Sequence, residues 1–328
     1  MVYAWKSISD AVKSNIMIEA NPIANDPLAN ALMKMKLKGF VSGALDIGGN
    51  WAVDFPAWDG FRLSVIQKGE CWLSVEGHRK KIELKTGDCF LMTGGKSYSI
   101  ASDLSLKKRF RHEDIFATIK NGIATFNGGG DFFSMTAIFE FEGHLPKIVL
   151  GQLPSVIHIP ENLDQAAVLR WSIERFSSEF RGNNIGRPLI LNHLAPVMLL
   201  QVLRIYLASA KKEKNWLTTL SDPKLSKTIQ AMQTHYKRNW SLDDLAKTAG
   251  MSRSGFALNF KKQVGVAPMD YLTNWRMQIA CDLLQSGKKN IEDVANSVGY
   301  ASASAFSVAF KKITDLRPGA YQKSLTAR

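Results

Sequence analysis

SLDDLAKTAGMSRSGFALNFKKQVGVAPMDY, residues 241–271, and NIEDVANSVGYASASAFSVAFKKITDLRPGAY, residues 290–321, spell one pattern twice. Phe256, Phe260, Lys261, Lys262, Pro268 and Tyr271 recur 50 positions later as Phe306, Phe310, Lys311, Lys312, Pro318 and Tyr321. Asp244, Ala246 and Gly250 recur after 49, as Asp293, Ala295 and Gly299. The one-residue difference falls in a turn, where an insertion costs little. Each copy reads as two short helices. Ser241 and Asn290 are N-caps, followed by carboxylates (Asp243, Asp244; Glu292, Asp293) at the positive end of the helix dipole. Leu242, Leu245 and Ala249 fall at helical spacing, as do Ile291, Val294 and Val298. Gly250 and Gly299 close the first helix where a positive φ is cheap only for glycine. Ser252 then caps a second helix with Phe256 and Phe260 on its inner face; Phe306 and Phe310 repeat this. The layout is that of a helix-turn-helix, whose second helix lies in the DNA major groove.

Outward from the copies, Pro268 suits a helix start, and Tyr271, Leu272, Trp275, Ile279, Leu283 and Leu284 mark one apolar stripe. The 18 residues Pro268–Gln285 make a helix of roughly 27 Å. That is close to the roughly 34 Å between successive major grooves on one DNA face, so the spacing predicts two readers set about a turn apart. Charge agrees with this division of labour. The chain carries +13, and residues 211–328 hold 19 Lys and Arg against 9 Asp and Glu, a net of +10. The first 210 residues hold 23 against 20, a net of +3. The excess sits with the duplicated motif, as an electrostatic footprint on nucleic acid requires.

Residues from about 222 to 326 resemble the DNA-binding domain of the AraC/XylS family of bacterial transcription regulators, with helix-turn-helix motifs at about 241–262 and 290–312. The resemblance is carried by AxxxGMS at 246–252, FxxxFKK at 256–262, WRMQxAxxLL at 275–284 and GYxSxSxFSxAFKK at 299–312. It implies sequence-specific promoter binding, with groove-facing residues Arg253, Ser254, Ala257 and Leu258 in the first reader. In the second they are Ala303, Ser304, Ser307 and Val308. Relatives commonly place arginine near 258, 259 and 308, where this chain has Leu258, Asn259 and Val308. Arginine gives the strongest bidentate guanine contact, whereas leucine and valine meet only thymine methyls. An altered or weaker sequence preference is therefore expected; a degenerate domain kept as an interaction scaffold is the alternative. Lys261, Lys262, Lys311 and Lys312 end the reader helices, where they either contact phosphates or answer the helix dipole.

A length of 328 residues suggests two or three domains. The N-terminus, MVYAWKSISDAVK, has no apolar signal core, and no apolar run approaches the roughly 18 residues of a membrane span. Cys71, Cys89 and Cys281 form no CxxC pair and read as reduced. A cytoplasmic, nucleoid-associated protein is expected.

Before the readers the pattern is β-rich. FRLSVIQ (61–67), CWLSVEG (71–77), KKIEL (80–84) and DCFLMTG (88–94) are short strands between glycine turns, and DFFSMTAIFEFEG (131–143) adds one or two more. The stretch 69–98 resembles the cupin barrel found at the N-terminus of many AraC/XylS members. The expected class is therefore α+β: a cupin-like regulatory domain over 1–160, a helical dimerisation segment over 161–212, and an all-α double helix-turn-helix domain. Metal-dependent cupins take an HxH pair, a carboxylate and a second-motif histidine. PAWDGFRLSV has no histidine, Tyr98 stands near the second-motif position, and His78 is expected to be a solvated turn residue. His112, His144, His158, His193 and His235 show no ligand spacing. No metal, cofactor or catalytic residue is expected; an enzyme on a cupin scaffold is the competing class. A small-molecule effector at the barrel mouth is consistent with Trp51, Phe55, Trp58 and Trp72 as lining or as core.

Residues 163–182 and 187–209 read as helices, the second bent or split at Pro196. Relatives use this region for dimer contacts, so Leu199, Leu200, Leu203 and Leu207 are either a homodimer stripe or packing against the barrel. Residues 210–222 read as a polar linker. The resemblance implies a homodimer that binds double-stranded promoter DNA, acts as an activator or repressor, and works with RNA polymerase.

Overall fold

Period-2 alternation places every second side chain of a strand on one face, and two strands show what this does here. Arg62, Ser64 and Ile66 of β3 (Phe61–Lys68) face the barrel interior with Phe132, Ser134, Thr136 and Ile138 of β11 (Phe132–Glu140). Leu63, Val65, Met135 and Ala137 lie on the opposite face and are buried. The computed structural model describes residues 26–35, 38–141, 145–209, 215–287 and 289–326. It folds into two units.

The remaining strands of the first unit are β1 (Lys38–Ile47), β2 (Ala52–Phe55), β4 (Glu70–Val75), β5 (Ile82–Lys85), β6 (Cys89–Met92) and β7 (Tyr98–Ala101). They are followed by β8 (Phe110–Arg111), β9 (Ile119–Lys120), β10 (Ile123–Phe126) and β12 (Val156–Ile159). One sheet runs β12-β6-β3-β11-β1-β10-β9 and the other β5-β4-β7-β2-β8. The pairs β1/β10 and β2/β8 are parallel, so both sheets are mixed. Ile66, Phe90 and Phe132 of the larger sheet meet Val53, Leu73 and Ile100 of the smaller in one buried core. Stretch 131–143 supplies one strand, β11.

Two helices cover the outer face of the larger sheet. In α4 (Ala167–Arg181), Ser177 donates to Gln67 Oε1 at 2.7 Å and lies 3.9 Å from Met135 Sδ. A 3-10 turn at Asp164–Ala166 delays its start relative to the expected residue 163. Helix α5 (Arg187–Ser209) packs on α4 and β1 and continues through Pro196, so of the two expected outcomes, a bend or a split, the split does not occur. It is also long and apolar enough to cross a membrane by length and composition, a run missed in the sequence because Arg187, His193 and Arg204 punctuate it. Its buried side packs inside this unit. Leu199 and Leu203 are consumed there, and Leu200 and Leu207 are half-buried, which removes the first two from any dimer stripe. A short helix, α2 (His112–Phe116), buries Ile115 in the core.

The second unit is helical: α6 (Trp216–Thr219), α7 (Pro223–Thr234), α8 (Leu242–Ala249), α9 (Arg253–Val264), α10 (Pro268–Gln285), α11 (Ile291–Ser297), α12 (Ala303–Thr314) and α13 (Pro318–Thr326). It also contains α1 (Pro27–Lys34) and α3 (Leu145–Val149). Asp26 caps α1 by accepting from Leu28 N at 2.8 Å, and Leu28 and Ala31 are buried. Gln233 of α7 donates to Pro27 O at 3.3 Å and to Tyr271 Oη at 3.0 Å, tying α1 to α10. Residues 215–222 are not a polar linker. Trp216 and Leu217 are buried and Asn215 caps α6, because apolar side chains this large cannot be left in solvent cheaply. Residues 210–214 of that stretch, the N-terminal peptide and His144 lie outside the described residues.

Candidate nucleic-acid interface

Ser241 accepts from Asp244 N at 3.1 Å, while the Asp244 carboxylate accepts from Ser241 N, a reciprocal capping box for α8. The Ser241 hydroxyl, donating to the same carboxylate at 2.7 Å, and the Ser241 N–H hold the Asp244 carboxyl below its ordinary pKa. Gly250 ends α8 at φ 61°, and Ser252 caps α9 by accepting from Gly255 N at 3.2 Å. In the second copy Asn290 accepts from Asp293 N at 2.8 Å, and Ser302 accepts from Ala305 N at 3.2 Å to cap α12.

The inner faces of α9 and α12 are superimposable in chemistry and nearly so in geometry. Phe256 and Phe260 are fully buried with centroids 5.5 Å apart, as are Phe306 and Phe310 at 5.4 Å. Tyr271 meets Phe260 edge-on at 5.9 Å, and Tyr321 meets Phe310 edge-on at 5.4 Å. Edge-to-face aromatic packing of this kind favours one orientation of each helix about its own axis.

That orientation leaves the other faces outward. Arg253, Ser254, Leu258, Lys261 and Lys262 are exposed and Ala257 half-buried; Ser304, Val308, Lys311 and Lys312 are exposed, with Ala303 and Ser307 half-buried. Leu258 and Val308 are each 73% exposed. An apolar side chain held in water at the same place in both copies makes no contribution to the core.

Two details were not readable from the sequence. Arg253 Nη1 lies 3.5 Å from Asp243 Oδ2, so the one arginine on α9 and α12 is already ion-paired to α8. Ser307 donates to Ala303 O at 2.7 Å, leaving its oxygen as an acceptor. Arg276 is a further residue whose part emerges only in three dimensions. Its Nε donates to Tyr236 O at 2.7 Å and its Nη2 to Arg238 O at 2.8 Å, with the guanidinium 5.6 Å from the Tyr300 ring centre. Burial lowers its pKa, against which Tyr300 works. One α10 side chain therefore links the segment before the first reader to the turn of the second. Gly299, at φ 80°, seals the same contact: a Cβ there would stand 2.6 Å from Lys237 O.

The other candidate site is a cavity between the two sheets. Of Trp51, Phe55, Trp58 and Trp72, only Phe55 lines it. Trp51 is core, 4.7 Å from Phe132 between ring centres, and Trp58 lies beside Arg62. Tyr98 lines the cavity, with its hydroxyl 3.5 Å from Arg62 Nη1; burial raises its pKa. Among the described residues no three His, Cys, Asp or Glu side chains cluster as metal ligands. His78 is not simply solvated, since its Nε2 lies 2.6 Å from Ser155 Oγ. His158 Nε2 sits 2.9 Å from Asp88 Oδ2, and Asp88 also accepts from Glu161 N.

A helix-turn-helix domain model matches residues 245–324, and a cupin model matches residues 26–208. AraC-like transcription regulators of Streptomyces antibioticus and Streptomyces lividans are each 35% identical. The first aligns over 91% of this chain and 98% of its own length, the second over 92% and 99%. The transcriptional regulator AlkR of Acinetobacter baylyi is 28% identical over 84% of this chain and 92% of its own. With both units matched and the relatives covered almost end to end, the chain belongs to the AraC-type family of DNA-binding transcription regulators.

Proposed function

We propose that α9 and α12 enter successive major grooves on one face of promoter DNA. Arg253, Ser254, Ala257 and Leu258 face bases in the first groove, and Ala303, Ser304, Ser307 and Val308 in the second. Lys261, Lys262, Lys311 and Lys312 reach phosphates at the helix ends. The observation that carries this reading is the matched outward face of the two helices, apolar Leu258 and Val308 included. Such a surface suits thymine methyls, with serine hydroxyls serving either base class. In-vitro selection of binding sites followed by Arg253→Ala tests it. A base-reading arginine loses affinity for the selected site by more than for random DNA; equal loss on both makes Arg253 a phosphate contact.

The protein works at promoters in the cytoplasm as a homodimer, with RNA polymerase as its eventual partner. Exposed Val168 and Trp171 on α4, with Leu189 and Val197 on α5, replace the buried leucines as the candidate dimer face. A monomer in sedimentation at tens of micromolar would end that reading. A small effector in the barrel acts through its differential affinity for two arrangements of the DNA-binding units. A regulator, not an enzyme, is the reading that the matched families support.

A further inference from the structure

The cavity between the sheets has a volume of about 100 Å³ and opens at its mouth, room for several water molecules or a slender organic chain. Phe55, Ile66, Phe90, Ile100, Phe132 and Ile138 make its wall mostly apolar. Its hydroxyls are largely spoken for, since Ser64 and Thr136 bond each other at 2.9 Å. Among the described residues Arg62 is the one charged lining residue, and no carboxylate lines the cavity. Its Nε is buried without an acceptor, and no ion pair among the described residues involves it. The guanidinium lies 5.4 Å from the Trp58 ring centre and 5.9 Å from that of Tyr98, flanked by π faces instead of an anion. A buried donor on a permanent cation is costly to leave unmet, and a planar guanidinium matches a carboxylate in two parallel bonds.

Resting on the effector reading above, we propose that this cavity binds an apolar organic monocarboxylate. Its carboxylate meets Arg62, the Tyr98 hydroxyl donates a further bond, and its hydrocarbon body lies between the sheets. A sugar would leave most of its hydroxyls unpaired against this wall. A dianionic phosphate would bring one charge more than the lining supplies.

The full-length protein is titrated calorimetrically with straight-chain carboxylates from hexanoate to dodecanoate and with phenylacetate, each beside its primary alcohol. At least one acid is expected to bind saturably below the millimolar range and more tightly than its alcohol. Arg62→Gln is expected to weaken the acid by about tenfold or more while leaving the alcohol unchanged, and Arg62→Lys to restore part of the loss. The proposal is overturned if no acid in the series binds, if acid and alcohol bind alike, or if Arg62→Gln leaves the acid's affinity unchanged. Should Arg62→Gln fail to fold, the acid-against-alcohol comparison on the unaltered protein decides alone. Promoter footprints with and without the bound acid separate this from the regulatory reading. Binding with no change in the footprint leaves the site standing and removes the effector role; a changed footprint supports both.

Discussion

The proposed reading of DNA turns on single side chains, Arg253 and its partner Asp243 first among them. Their ion pair is exposed at both ends, and such pairs contribute little to stability. They matter more for what Arg253 is free to touch. Asp243→Asn removes an anion from the interface and releases the guanidinium. Filter binding should then show affinity for the selected site rising roughly two- to fivefold, with a steeper salt dependence. Unchanged affinity would mean that Arg253 does not reach the DNA. Leu258→Ala tests the apolar contact. Because the side chain is 73% exposed, the melting midpoint should move by no more than about 0.5 kcal/mol equivalent, while one thymine preference is lost from the selected site. The outward set of residues was legible from the repeat, because the buried Phe pairs define which side remains. The Asp243 contact was not, since it depends on how α8 and α9 meet across a turn.

At the level of elements, the two copies are alike in core and unlike in their turns. Gly250 has open space around its would-be Cβ and only a positive φ to satisfy, whereas Gly299 also faces Lys237 backbone at 2.6 Å. Gly250→Ala should therefore cost ~1 kcal/mol of unfolding free energy, and Gly299→Ala distinctly more, as read by thermal or urea denaturation. Equal losses would show that the contact with Lys237 is not firm. Phe306→Ala, in a fully buried site, should cost ~3–5 kcal/mol. Arg276→Lys keeps the charge and loses the two-carbonyl clamp; two-groove binding should weaken with little change in the first reader's base preference. Helices with caps and a 3.6-residue stripe, such as α8 and α10, were legible almost to the residue. Strands β1, β7 and β12 were not. Two glycines interrupt β1, and the other two are four residues long, too short for alternation to stand out. Pro196 does not divide α5, because the helix absorbs its one missing bond.

For the whole molecule, the charge asymmetry and the repeat announced a DNA-binding unit, but not which residues complete it. Helices α1 and α3 come from distant parts of the chain and pack with α7, α6 and α10. Only non-local burial reveals that, because an eight-residue amphipathic helix looks the same wherever it docks. Leu28→Ala should thus lower the stability of the C-terminal unit, by ~2 kcal/mol or more, although residue 28 is almost 200 positions away from α7 in sequence. Loss of stability in the barrel instead, resolved by hydrogen exchange, would contradict this assignment. The cupin barrel was legible from glycine-separated strands, while its cavity was not, because Arg62 stands among apolar residues only after alternation and strand pairing bring them together. Hydroxyl-radical footprinting of a selected promoter site tests the central claim most directly. Two protected tracts per subunit, one helical turn apart on the same face, are expected, with Phe306→Ala erasing one and sparing the other. A single tract, or protection that ignores sequence altogether, would contradict two tandem readers of DNA.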